Sequence, residues 1–172
     1  YTLPRNGADK IVINYLNEVI EINQRNNWKS FKRYHIFNKP IKFNFMKDIE
    51  NPNYNQVLYV PTIEYNYYDG LIPGIRIHNK TLLDKPFMFN INPTFSTNTG
   101  TISGSTSFIL NHYIRDSKLF LTRYNVSYSS FHYAPDAYYQ KVNPFVIFRF
   151  RDDDLRSNQG RSIVIRQVYV NR

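Results

Sequence analysis

Apolar and polar residues alternate along nearly the whole chain, in short runs broken by Asn, Pro, Gly and Ser. Ile41-Lys42-Phe43-Asn44-Phe45 is one such run. Successive side chains of a strand point to opposite faces, so a period of two marks half-buried strands. The pattern predicts strands over Lys39 to Met46, Gln56 to Tyr68, Ile75 to His78, Pro86 to Asn92, Lys118 to Ser129, Pro144 to Arg151 and Arg161 to Val170. Pro61 marks an edge or a bend in the second of these. In Pro144 to Arg151, Val146, Phe148 and Phe150 lie opposite Arg149 and Arg151. The closing strand has Ile163 and Ile165 on one side and Val164, Val168 and Val170 on the other. Apolar residues on both faces make it an integral strand rather than a loose tail.

The remaining segments read differently. Lys10 to Asn23 fits both strand and helix spacing, and its β-branched residues favour a long strand. A short helical turn is expected around Trp28, Phe31 and Lys32. Asp69-Gly70 and Pro73-Gly74 are turn signals. Tyr1 to Asp9 reads as an irregular arm, and Asp48 to Asn55 as a loop. Thr94 to Ser107, rich in Ser, Thr and Gly, is expected as a long surface loop, and Phe131 to Val142 as a tyrosine-rich connection. About eight strands, with no fixed repeat and no linker, predict an all-β fold: a single jelly-roll β-sandwich over residues 1–172.

Composition narrows the function. The 172 residues include 15 Tyr and 13 Phe, which suit pleated faces and a real core. The formal net charge of +9 favours anionic partners: nucleic acid, an acidic membrane surface or a sulfated polysaccharide. There is no cysteine, which removes thiol chemistry and Cys-ligated zinc and favours a reducing compartment. The longest apolar stretches are only a few residues, so no membrane span is expected. No signal peptide is visible.

Trp28-Lys29-Ser30-Phe31-Lys32-Arg33-Tyr34-His35-Ile36, leading into Pro40-Ile41-Lys42-Phe43-Asn44-Phe45, gives an aromatic, a turn, "F-x-x-Y-x-I" and an alternating strand. Val57 to Gly70 ends in Tyr-Tyr-Asp-Gly, and Lys85 to Pro93 closes on proline. Phe145 to Arg151 and Ile163 to Val170 follow as a final pair. In strand order and aromatic placement the chain resembles the circovirus-like capsid proteins of small circular single-stranded DNA viruses encoding a rolling-circle replication initiator. That family's Arg-rich N-terminal arm is not present here. The resemblance implies a jelly-roll subunit that self-associates into a small icosahedral shell around single-stranded DNA. It places the protein in the virion, assembled inside the host cell, the nucleus being one site for this. RNA-virus and satellite-virus capsids share the architecture.

The candidate nucleic-acid residues fall in two sets. Arg25, Lys29, Lys32, Arg33, Lys39, Lys42 and Lys47 form a basic run uninterrupted by acids, with Trp28, Phe31, Tyr34 and Phe37 interleaved. Lys and Arg neutralise phosphates, and exposed rings stack on bases; the bland alternative is a solvated basic face with the aromatics in the core. Arg149, Arg151, Arg161 and Arg166 make a second set on neighbouring strands. Asp152-Asp153-Asp154 reads as a solvated turn rather than a metal site, since three consecutive acids cannot all point one way. His35, His78, His112 and His132 show no ligand spacing. Asp136 near His132 permits a hydrolytic triad, but no G-x-S-x-G context supports one. No catalytic residue, metal or cofactor is expected. Asn79-Lys80-Thr81 and Asn125-Val126-Ser127 match the glycosylation acceptor. Two rivals to the shell subunit stay open: a secreted or surface β-sandwich binding module of adhesin or lectin type, and a basic β-barrel binding nucleic acid as a monomer.

Overall fold

The computed structural model describes residues 7–8, 10–16, 18–21, 23–31, 39–46, 51, 53–152 and 157–172. Among them the chain is all-β, as the alternation requires, with one 3-10 turn at Gln24–Asn26. A small antiparallel ladder comes first, pairing β1 (Lys10–Val12) with β2 (Trp28–Ser30). Nine strands then form one sheet: β3 (Ile41–Phe45), β4 (Asn55–Asn66), β5 (Gly70–His78), β6 (Phe87–Phe95), β7 (Ile102–Tyr113), β8 (Leu119–Ala134), β9 (Ala137–Arg151), β10 (Gly160–Arg166) and β11 (Tyr169–Asn171). From β4 to β10 each strand lies antiparallel beside its chain neighbour, while β3 runs parallel to β4. Among the described strands this is an up-and-down order, and no Greek-key crossing of a jelly roll occurs within it. Closing residues 161–166 and 169–171 pair with β9 in one continuous register, so the final strand is integral to the sheet.

Five local expectations change. Pro73-Gly74 is not a turn but lies inside β5, paired with Ile63 and Thr62 of β4. Lys10 to Asn23 yields only three strand residues, because Asn14 closes a loop: its Nδ2 donates to Val19 O (2.7 Å) and its Oδ1 accepts from Val19 N (3.2 Å). A 3-10 turn precedes Trp28 and is capped by Asn23, whose Oδ1 accepts from Arg25 N; Trp28 itself is in a strand, and the rest of the expected turn, from Lys32 on, lies outside the described residues. Thr94 to Ser107 is not a loop but the facing ends of β6 and β7, joined across residues 96–101. Phe131 to Val142 is likewise strand on both sides of a two-residue turn, Pro135-Asp136. At Thr94 to Ser107 Ser and Thr occupy one face of the two strands, which leaves the alternation without its apolar contrast. The arm expected at 1–9, apart from Gly7 and Ala8, lies outside the described residues.

The sheet is curled. Thr62 on β4 donates its hydroxyl to Asn92 Oδ1 on β6 at 3.2 Å, across the intervening β5. Two strand spacings are about 9.5 Å, so this bond requires the faces of β4 and β6 to lean together. Gly74 of β5 sits beneath the bridge, where an added Cβ would lie 2.8 Å from Thr62 Oγ1 and 2.7 Å from Thr94 Cγ2. Gly104 of β7 adopts φ 126°, and a side chain there would collide with the Asn92 carbonyl. Glycine at such points lets a sheet turn a corner.

Candidate functional site: the two faces of the curled sheet

Cross-strand partners share a face, so the register sorts every strand residue. One face carries Thr62, Asn92, Thr94, Ser103, Ser105, Ser129, Lys141 and Asn143, with their neighbours at alternate positions. The other carries Phe43, Tyr59, Ile63, Ile77, Phe89, Phe108, Val126, Pro144 and Phe148 with theirs. The polar face is the concave one. The buried polar residues Gln56, Thr94, Ser103, Asn111, Asn125 and Asn143 lie on it, as do the buried apolar residues Leu58, Ile72, Met88 and Leu121, whereas the buried Thr122, Ser130 and His132 fall on the other face. The convex face is apolar and open: Phe43, Ile63 and Ile102 are 69%, 77% and 74% exposed. From β3 to β9 it holds no Lys, Arg, Asp or Glu.

Charge follows the same division. Lys42, Arg76, Arg123, Lys141, Arg149, Arg151 and Arg166 lie on the polar face, against Glu64 as its one carboxylate within the described strands. Three of these arginines share a device. Arg76 donates Nε–H to Asn90 Oδ1 (2.7 Å), Arg123 to Asn111 Oδ1 (2.7 Å) and Arg166 to Asn143 Oδ1 (2.8 Å). Each asparagine belongs to an adjacent strand and orients the guanidinium without neutralising it. Arg123 alone also meets a carboxylate, Asp84, at 2.9 Å. Two clefts open on this face. One, of about 250 Å³, is lined by Asn90, Asn143, Lys141 and the serines 105, 107, 127 and 129. Its neighbour, of about 310 Å³, reaches Glu64, Asn66 and Ser130.

The tips of three hairpins are tied together at one end of the sheet. Asp69, in the turn between β4 and β5, is fully buried. Its Oδ1 lies 2.7 Å from His132 Nδ1 on β8 and accepts from the Thr99 hydroxyl at 3.1 Å. Its Oδ2 accepts from His132 N (3.3 Å) and Asn66 Nδ2 (3.3 Å). Asn66 also donates to His132 O (2.7 Å), and Asn98 N to Asp69 O (3.0 Å). Burial alone would raise the Asp69 carboxyl, but the Ser96, Thr99 and His132 contacts outweigh it and hold it below the ordinary carboxylate range. Ser96 lies beside the carboxylate without a well-formed hydrogen bond, so its share is a dipolar one. The carboxylate facing His132 is therefore Asp69, not Asp136, which is exposed in the β8–β9 turn.

Among the described residues, the basic residues singled out in the sequence stand at separate places in the fold. Lys32 and Arg33 lie outside the described residues. Arg25 follows Asn23 in the 3-10 turn and reaches Asn55 Oδ1 with Nη2 at 3.4 Å. Lys29 is exposed on β2, Lys39 is buried, and Lys42 lies on β3 with its Nζ 5.6 Å from the Tyr54 ring. Arg149 and Arg151 stand near the opposite edge of the sheet, on β9. Arg166 shares their face, whereas Arg161 pairs with Phe150 and points to the apolar side. Asn125 is buried within β8, and Asn79 donates to Phe87 O and accepts from Phe89 N, so both acceptor asparagines are engaged in the sheet or its margin. Arg76, Arg123, Lys141 and the clamping asparagines escaped the sequence reading. The signal was their parity, as in Phe89-Asn90-Ile91-Asn92, but their pairing depends on register. No family model, no curated protein and no solved structure matches the chain.

Proposed function

We propose that this chain forms the wall of a transmembrane β-barrel, its convex apolar face against lipid and its concave polar face toward water. The observation that carries this reading is the arrangement of the sheet: nearly all strand charges and most polar side chains inside the curl, beside four buried apolar residues, and outside it an exposed apolar face without Lys, Arg, Asp or Glu from β3 to β9. A water-soluble sheet takes its apolar face out of water, because that burial drives folding. Fully burying one large apolar side chain gains about 1.5–3 kcal/mol. A few side chains as exposed as Phe43, Ile63 and Ile102 therefore rival the roughly 5–15 kcal/mol by which domains are stable. Hydrocarbon covers that face without a second layer, and the ladder satisfies the backbone within it.

Length and connectivity agree. A membrane-crossing strand needs about 9–11 residues when tilted, and β4 to β9 run from 9 to 16 residues. Sequential antiparallel pairing is the topology of up-and-down barrels. In lipid the outer edges of β3 and β10 must be paired, with each other or with further strands. Among the described residues no helix is long and apolar enough to cross a membrane. Apolar run length is a criterion for helices; only every second residue of a strand needs to meet lipid.

A second reading, the shell subunit, draws on the place of β3 and β10 at the two ends of the strand order among the described residues, where another copy would extend the sheet. Single-stranded DNA would then lie on the cationic face, near Lys42, Arg149 and Arg151, and the assembled particle would be the virion. Flotation separates the two. Mixed with phospholipid vesicles, the full chain is expected to gain strand signal by circular dichroism and to float with lipid. Uniform closed particles in lipid-free buffer, with no flotation, would overturn the membrane reading.

A further inference from the structure

The cleft of about 250 Å³ on the polar face is built from donors, and no carboxylate lines it. Lys141 stands at its β9 side. The hydroxyls of Ser105, Ser107 and Ser129 line it and meet no protein partner among the described residues. Its two walls include Asn90 and Asn143, each of which grips the Nε edge of an arginine from the next strand outward, Arg76 and Arg166. Among the described residues neither guanidinium meets a carboxylate. Asn143 also spends its Nδ2 on Ser127 Oγ (3.4 Å), which fixes the amide so that its Oδ1 faces Arg166. Arg166 is further backed by the Phe145 ring, 6.0 Å from its Cζ.

Holding the Nε edge of an arginine leaves the terminal nitrogens as an oriented, uncompensated fork, which matches the oxygens of phosphate and sulfate. Serine hydroxyls complete such a shell because they can donate to whatever oxygen arrives. We infer that this cleft binds an oxyanion of phosphate or sulfate type, with Lys141 as the cation of its lining and Arg166, just outside the lining and positioned by Asn143, as the second cationic contact. Arg76 plays the same part at the opposite wall, held by Asn90. The inference rests on the reading above only in taking the polar face as the water-filled side.

The test is calorimetric titration of the full chain in detergent micelles with inorganic pyrophosphate at low and moderate salt. Binding is expected, with an affinity that falls as salt rises. Lys141→Gln and Arg166→Gln are expected to weaken it about tenfold each and to reduce the salt slope. Asn143→Ala keeps every charge and is expected to weaken affinity while leaving the salt slope unchanged, which marks positioning rather than charge. Arg115→Gln, in the loop between β7 and β8, leaves both unchanged. Absence of binding, or equal affinity in the Lys141 and Arg166 variants, overturns the inference. Lipid contact of the other face is read independently, so its failure and the failure of this cleft are distinguishable.

Discussion

At the scale of single residues, Asp69 is the most demanding position. Its side chain is fully buried and accepts from His132, Thr99 and Asn66. Removing it leaves several buried donors unmatched, each costing about 1–3 kcal/mol. Asp69→Ala is expected to lower unfolding free energy by about 3 kcal/mol or more, read by urea titration in micelles. The carboxyl sits below its ordinary range when folded, so the folded state favours the charged form. That stabilisation is fully present above the unfolded carboxyl's value of about 3.9 and is lost as pH falls through the depressed folded value. Asp69→Asn is expected to flatten this acid limb of the stability profile. An unchanged limb would show that Asp69 does not respond to pH as the hydrogen bonds require. The sequence offered Asp69-Gly70 as a turn and His132 as an isolated histidine. Their pairing across 63 residues depends on how far the sheet curls, which no local pattern encodes.

Among the strands, β8 states the division of faces most plainly. Tyr124, Val126 and Tyr128 alternate with Asn125, Ser127 and Ser129. A charge at the centre of a lipid-facing strand costs roughly 2–4 kcal/mol for Arg or Lys, whereas a water-facing position accepts it at little cost. Val126→Lys is therefore expected to destabilise the vesicle-bound protein by about that amount, and Ser127→Lys by a small fraction of it. Equal costs at the two sites would contradict the assignment of faces. Such strands were legible in the sequence wherever large apolar residues marked every second position, as in Phe145 to Phe150. They were lost at Thr94 to Ser107, where Ser and Thr fill one face and Gly104 interrupts the other. Lys10 to Asn23 failed in the opposite direction. Its β-branched residues favour a strand, but Asn14, with φ 53°, turns the chain away after three residues have paired with β2.

For the whole molecule, alternation is ambiguous about which face is inside. The same pattern describes a soluble sandwich, with the apolar face buried, and a membrane barrel, with the apolar face outward. Curvature sets which face is concave, and its determinants are particular: Gly74, Gly104 and the Thr62–Asn92 bond across β5. The net charge of +9 suggested an anionic partner, and the register gathers much of that charge on the concave side.

The most direct measurement is a tryptophan scan of β8 in vesicles containing brominated lipid, in a Trp28→Phe background. Bromine quenches only rings that reach the hydrocarbon. Tryptophan placed at Tyr124, Val126 and Tyr128 is expected to be strongly quenched, and at Ser127 and Ser129 weakly, with a period of two residues. Quenching without that period, or none at any position in protein that floats with the vesicles, would contradict the account.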